Sequence, residues 1–149
     1  MAEEATRDIV SNRRARYEFA LLDTFEAGIA LLGSEVKGLR TGKGNLQDSY
    51  VVLEPDGAWI QGFHISPYTH ANRQNHEPLR RRKLLLHKHE LAKLRKGTEE
   101  KGMTIVPTRV YLKGSLMKVE IALARGKKLH DKRDAIKDRD AERELRRVR

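Results

Sequence analysis

Thr104–Ala124 reads TIVPTRVYLKGSLMKVEIALA, two apolar runs joined by Lys113-Gly114-Ser115. Val119, Ile121 and Leu123 fall on alternate positions, the period of a half-buried strand. A three-residue connection centred on glycine leaves no room for a crossover, so the two runs pair as antiparallel neighbours. Four more runs of this kind precede them. Tyr17, Phe19, Leu21, Asp23 and Phe25 alternate, and after Glu26-Ala27-Gly28 the run Ile29–Leu32 reads as a strand antiparallel to the first. Leu46–Leu53 and Ala58–Phe63 flank Glu54-Pro55-Asp56-Gly57, with proline second and glycine last as a β-turn prefers, and so form a hairpin. Two helices interrupt the strands. Gly33–Arg40 has Ser34 placed to cap it and Glu35 in the first turn, facing the positive end of the helix dipole. His87–Glu100 carries Leu91 and Leu94 on one face and is closed by Gly102. Six short antiparallel strands with two inserted helices predict a mainly β fold, an OB-like closed antiparallel barrel, with a two-sheet sandwich as the alternative.

The chain has 149 residues, 38% hydrophobic and 35% charged, which suits one domain whose core is concentrated in part of the sequence. Residues 12–125 are that part. Met1–Ser11 lacks periodicity and reads as a flexible terminus. Gly126–Arg149, GKKLHDKRDAIKDRDAERELRRVR, holds ten Lys/Arg against six Asp/Glu and only four sizeable apolar side chains, too few for a core. Opposite charges recur there at helical spacing, as in Asp134/Lys137, Asp140/Arg143 and Glu142/Arg146. Alone such a helix is marginal in water, so the segment reads as a basic tail that becomes helical on a partner. From Asp131 to Arg149 it would reach about 28 Å, long enough to thread a groove in something much larger.

A formal charge of +10 points to a polyanionic partner. Arg73–Lys96 carries nine basic residues, Arg80, Arg81, Arg82 and Lys83 consecutive among them, against Glu77 and Glu90. Phosphate neutralisation at that density gives tight, salt-sensitive binding, while eight aromatic residues are too few for a platform that stacks many bases. Folded RNA suits the sequence better than single strands, and DNA is not expected. No run is long and apolar enough for a membrane span, and MAEEATRDIV is acidic where a signal peptide would be basic and then apolar, so the expected location is cytoplasmic. With no cysteine there is neither a disulfide nor a thiol nucleophile. His70/His76 and His87/His89 lack metal-ligand spacing, and Gly38–Gly44 lacks both the glycine spacing and the Ser/Thr of a phosphate loop. No catalytic residue, metal or cofactor is therefore expected. A ribonuclease using two histidines is chemically possible, but nothing in the sequence makes two of them converge.

Five separated motifs occur in order: Asn12-Arg13-Arg14-Ala15-Arg16-Tyr17-Glu18-Phe19, Phe25-Glu26-Ala27-Gly28, Gly33-Ser34-Glu35-Val36-Lys37, Arg82-Lys83-Leu84-Leu85-Leu86-His87-Lys88 and Gly126-Lys127-Lys128-Leu129-His130-Asp131-Lys132-Arg133. Together they resemble small protein B, the bacterial SsrA-binding protein family, over nearly the whole chain. The resemblance implies an OB-like barrel that binds the tRNA-like domain of transfer-messenger RNA (SsrA) and delivers it to stalled ribosomes. It implies a tail that occupies the empty decoding centre and mRNA channel, against 16S rRNA of the small subunit. Elongation factor Tu with GTP would bring in the charged RNA, and the chain itself would do no chemistry. On this basis Asn12, Arg13, Glu26, Arg81, Arg82, Lys83, Leu85 and His87 are expected at the transfer-messenger RNA, and Lys127, Lys128, His130, Asp131, Lys132, Arg133 and Arg139 at the decoding centre and channel. Without the resemblance, the residues fit a ribosomal or generic structured-RNA-binding protein equally well.

Overall fold

The structure is a computed structural model and describes residues 5–67 and 75–127. In chain order the elements are β1 (Thr6–Ser11), α1 (Arg13–Glu18), β2 (Phe19–Ile29), α2 (Gly33–Arg40), β3 (Gly44–Asn45), β4 (Tyr50–Glu54), β5 (Gly57–Gln61), β6 (His64–Ile65), β7 (Arg82–Leu85), α3 (Lys88–Glu99), β8 (Met103–Lys113) and β9 (Leu116–Gly126). The main sheet runs β1-β8-β4-β5-β7-β2-β9, and β8 also pairs with β9. That second pairing closes β8, β4, β5, β7, β2 and β9 into a ring of six antiparallel strands, barrel-like, as the sequence predicts. The β8–β9 hairpin is its longest seam, running from Met103↔Arg125 to Lys113↔Leu116, and Val51↔Ile105 joins β4 to β8.

Alternation along the strands decides what fills the ring. Ala27, Val51, Ala58, Ile60, Leu84, Val110, Val119 and Ile121 point inward and form one core with Leu39 of α2 and Leu94 of α3. A smaller cluster lies outside the ring, where α1 lays Ala15 on Val106 and Ala124.

The count of six strands is reached by a different route from the one the sequence suggests. Of the two strands expected at Tyr17–Phe25 and Ile29–Leu32, Phe19–Phe25 and Ile29 lie in one strand, β2, and residues 30–32 lie in no strand. Tyr17 and Glu18 belong to α1, which Asn12 caps by accepting the Ala15 N–H at 3.3 Å and an Arg14–Glu18 pair at 3.1 Å braces. Glu26-Ala27-Gly28 is no turn because each residue is registered on β9, opposite Glu120, Val119 and Lys118. Gly28 serves close packing instead, since a Cβ there would lie 3.2 Å from that of Leu85. The missing sixth strand is β7. Its alternation is hidden because the inward position beside Leu84 is an arginine, Arg82.

Residues 6–11, expected to be part of a flexible terminus, form β1 on the outer edge of β8, and Asp8 pairs with Arg109 at 2.7 Å. At the other end β9 runs through Gly126, so the folded body extends past 125. Helix α2 stands where expected with a different cap. Glu35 Oε1 accepts the Leu32 N–H at 2.8 Å, while Ser34 Oγ meets His76 Nδ1 at 2.9 Å.

Candidate nucleic-acid interface

Side chains that alternate with the core lie on the outer face of β5, β7, β2, β9 and β8, where Tyr111 is covered and its neighbours are at least partly open to solvent. Pairing Trp59↔Lys83, Gly28↔Leu85, Gly28↔Lys118 and Tyr111↔Lys118 lays Trp59, Lys83, Leu85, Glu26, Lys118 and Tyr111 across these strands. Leu85 is 56% exposed and is therefore not part of the core. It walls an open groove floored by Gly28, with Leu116, Met117 and Val36 along it and Lys118 and Arg40 among its lining. An apolar strip edged by cations is suited to a ribose or base face beside phosphates.

Glu26 sits on this face with both oxygens engaged. Tyr111 donates its hydroxyl to Oε2, and Lys113 Nζ lies 3.2 Å from Oε1. The Tyr111 hydrogen bond draws the carboxyl below the ordinary glutamate range; partial burial opposes this, and Lys113 and Lys118 reinforce it. Glu26 is thus a fixed anion with lone pairs left over, able to accept from base amino groups or 2′-hydroxyls.

The four consecutive cations divide into separate roles. Arg82, expected at the RNA, is 0% exposed and lies inside the ring, so that expectation is corrected. Its Nε meets Glu35 Oε2 at 2.5 Å, Nη1 donates to the Phe63 carbonyl and Nη2 to the Pro78 carbonyl at 3.2 Å. Arg80 Nη2 holds the other oxygen of the buried Glu35 at 2.6 Å. Burial pushes the Glu35 carboxyl up, and hydrogen bonds from Arg80, the Leu32 amide and Arg82 more than reverse it, leaving it below the ordinary range. Arg81 and Lys83 remain outside. The Arg81 guanidinium stacks 4.2 Å from the Trp59 ring centre and meets Glu54 Oε1 at 2.5 Å, while Lys83 Nζ is 5.8 Å from the same ring.

Asn12 is a structural residue in this arrangement. Besides capping α1, it donates from Nδ2 to the Pro107 carbonyl at 2.8 Å, and its N–H bonds the Thr108 carbonyl at 2.8 Å. Arg13, next to it, is exposed and shares a cleft with Arg16, Arg109 and Glu120; Glu120 is the cross-strand neighbour of Glu26. His87 is exposed at the start of α3, its ring stacked on His89 at 5.5 Å. Lys127, expected in the decoding centre, is bound to the body: its N–H bonds the Glu18 carbonyl at 2.8 Å and its Nζ the Arg16 carbonyl at 2.9 Å. Lys128, His130, Asp131, Lys132, Arg133 and Arg139 lie outside the described residues. Among the described residues no group of three or more His, Asp or Glu could hold a metal ion, and no helix is long and apolar enough to cross a membrane.

A family model described as SmpB protein matches residues 9–149. The chain belongs to the SmpB family. It is 52% identical over 148 residues to the SsrA-binding protein of Desulforudis audaxviator (strain MP104C), covering 99% of this chain and 97% of that one. It is 55% identical over 139 residues to the SsrA-binding protein of Oleidesulfovibrio alaskensis, covering 93% and 90%. The SsrA-binding protein of Deinococcus radiodurans is 52% identical over 140 residues, covering 94% and 98%. A solved structure described as "tmRNA-SmpB: a journey to the center of the bacterial ribosome" matches with a TM-score of 0.70 and 43% identity, covering 87% of this chain and 95% of that one.

Several residues of this face were not singled out from the sequence. Lys118 stands between Val119 and Met117 at an outward position, which the alternation of β9 could have shown. Tyr111 and Arg109 could not be placed that way, because a register shift between Pro107 and Arg109 resets which face of β8 each residue takes. Trp59 gave no signal beyond being the single tryptophan beside the Pro55-Asp56-Gly57 turn.

Proposed function

We propose that this protein is an RNA-binding adaptor of trans-translation, binding the tRNA-like domain of transfer-messenger RNA (SsrA) and delivering it to stalled ribosomes. The observation that carries this reading is kinship over the full length, at about half of all positions, with proteins named SsrA-binding protein. The geometry agrees with it. A face that alternates fixed charge, exposed leucine and unburied cations reads folded RNA by shape and 2′-hydroxyls, with Glu26, Lys83, Leu85 and Arg81 as contacts and Arg13 and His87 at its margins. Asn12 serves it indirectly, by holding α1. The tail beyond Lys127 fills the empty decoding centre and mRNA channel, where Lys128, His130, Asp131, Lys132, Arg133 and Arg139 meet 16S rRNA. Lys127 fixes where that tail leaves the body. Elongation factor Tu with GTP brings in the charged RNA, and the chain supplies recognition and no bond-making chemistry.

A filter-binding competition among transfer-messenger RNA, ordinary tRNA and random RNA of equal length tests this. Transfer-messenger RNA is expected to win by well over tenfold at physiological salt. Equal competition by all three would replace the adaptor with a generic binder of structured RNA.

A further inference from the structure

A carboxylate on a surface meant for RNA is repelled by phosphate, so Glu26 contributes only if its charge is aimed at hydrogen-bond donors. A half-exposed glutamate left to itself would sample many rotamers. Strand β8 supplies the constraint. Tyr111 is 2% exposed, and its hydroxyl ends on Glu26 Oε2. Lys113, two residues on, takes the other oxygen at 3.2 Å. The Tyr111 ring is itself pinned: the Arg109 guanidinium lies 4.2 Å from its centre, and Arg109 is held by Asp8 of β1 at 2.7 Å and Glu120 of β9 at 3.6 Å.

We propose that Tyr111 is a positioning residue for RNA binding, a buried phenol that does not itself meet the RNA and holds the Glu26 carboxylate with its remaining lone pairs toward amino or 2′-hydroxyl donors. This rests on the reading that Glu26 contacts transfer-messenger RNA. The groups around the carboxylate are Tyr111 and Lys113 from β8, with Arg109 behind them, and Lys118 and Glu120 from β9. The phenol is pushed up by burial and by Glu26, and the carboxyl is drawn down chiefly by the phenol. The proton therefore stays on Tyr111 and the charge on Glu26. Removing the hydroxyl moves Glu26 back up, so that protonation, and with it loss of the acceptor, begins at a higher pH.

The test is the affinity of full-length protein for the isolated tRNA-like domain of transfer-messenger RNA between pH 4 and 7.5, a window that spans the ordinary glutamate value of about 4.3, using Tyr111→Phe, Glu26→Gln and the double variant. Tyr111→Phe should weaken binding about tenfold at pH 7.5, the scale of one charge-assisted hydrogen bond. Its deficit should grow as pH falls, while the wild type stays flat. On the Glu26→Gln background the Tyr111→Phe change should add nothing. An equal loss on both backgrounds, or a Tyr111→Phe profile matching wild type while Glu26→Gln binds weakly, overturns the role of Tyr111 and leaves that of Glu26 standing. Wild-type binding by Glu26→Gln would remove the reading beneath both. Should Tyr111→Phe fail to fold, NMR titration of the Glu26 carboxyl in the wild type decides: a midpoint at or above the ordinary glutamate value of about 4.3 overturns the proposal.

Discussion

Replacing Arg82 by alanine separates the two meanings of a basic run, because this arginine stands among surface cations in sequence and inside the ring in space. The substitution removes a guanidinium that is 0% exposed, together with its bonds to Glu35 and to the Phe63 and Pro78 carbonyls. Glu35 is left equally buried, holding Arg80 and the Leu32 amide alone. Breaking a buried pair by deleting one partner costs about 3–5 kcal/mol, a third or more of the stability of many domains, which lies at roughly 5–15 kcal/mol. For a chain of this size that lowers the melting temperature by about 6–20 °C. Urea unfolding followed by Trp59 fluorescence and by circular dichroism measures it directly. Pairing Arg82→Met with Glu35→Gln should cost less than the sum of the single changes, since the charge left stranded by one is removed by the other. If Arg82→Ala stays within about 1 kcal/mol of wild type and instead flattens the salt dependence of RNA binding, the arginine is a phosphate contact and the interior assignment is wrong.

Three further outcomes follow from the same geometry. Arg81→Ala and Lys83→Ala should leave stability nearly unchanged while each lowers the slope of log affinity on log salt by about 0.7–0.9 for every phosphate the side chain neutralises; unchanged slopes would mean that Glu54 and Trp59 fully occupy these cations. Because the folded Glu35 carboxyl lies below its unfolded value, it stabilises the fold above about pH 4.3 and ceases to do so as pH falls through the folded value. The stability advantage of wild type over Glu35→Gln should thus hold between pH 5 and 7 and shrink below that, and a pH-independent difference in urea titrations would contradict it. A chain ending at Lys127 should fold and bind transfer-messenger RNA like the whole protein yet fail to support tagging of nascent chains, and loss of RNA affinity would show that tail and body act together.

Much of the fold was legible because its strands obey simple alternation. β9 reads out directly, with Val119 and Ile121 inward, and the β4–β5 hairpin is announced by Pro55 and Gly57 at the two turn positions that favour them. What failed did so where a polar residue took an apolar one's place or an apolar one went unpaired. Arg82 occupies a core position and masks β7. Glu26 and Gly28 look like a turn because the partners that keep them extended, Glu120 and Lys118, lie ninety or more residues away. The edge strand β1 carries only Ile9 and Val10 as sizeable apolar residues, too little for periodicity to register, and is held by β8. For the site, sequence offered residue types but not sides. It could not tell that Arg81 and Lys83 face outward and Arg82 inward, nor that Leu85 is exposed while its neighbour Leu84 is buried.

The most direct measurement of the central claim is the single-turnover rate of peptidyl transfer to alanyl transfer-messenger RNA, on ribosomes carrying a truncated message. It is run with wild type, with His130→Phe, His130→Lys and His130→Ala, and without the protein. Base stacking on an aromatic side chain is worth about 1–3 kcal/mol, so if His130 stacks on rRNA in the decoding centre, phenylalanine keeps most of the rate and alanine and lysine lose tenfold or more. Wild type should raise the rate far above the protein-free reaction. A rate that does not depend on the protein would contradict the adaptor role itself, and equal rates for His130→Ala and wild type would leave the tail acting through charge and helix alone.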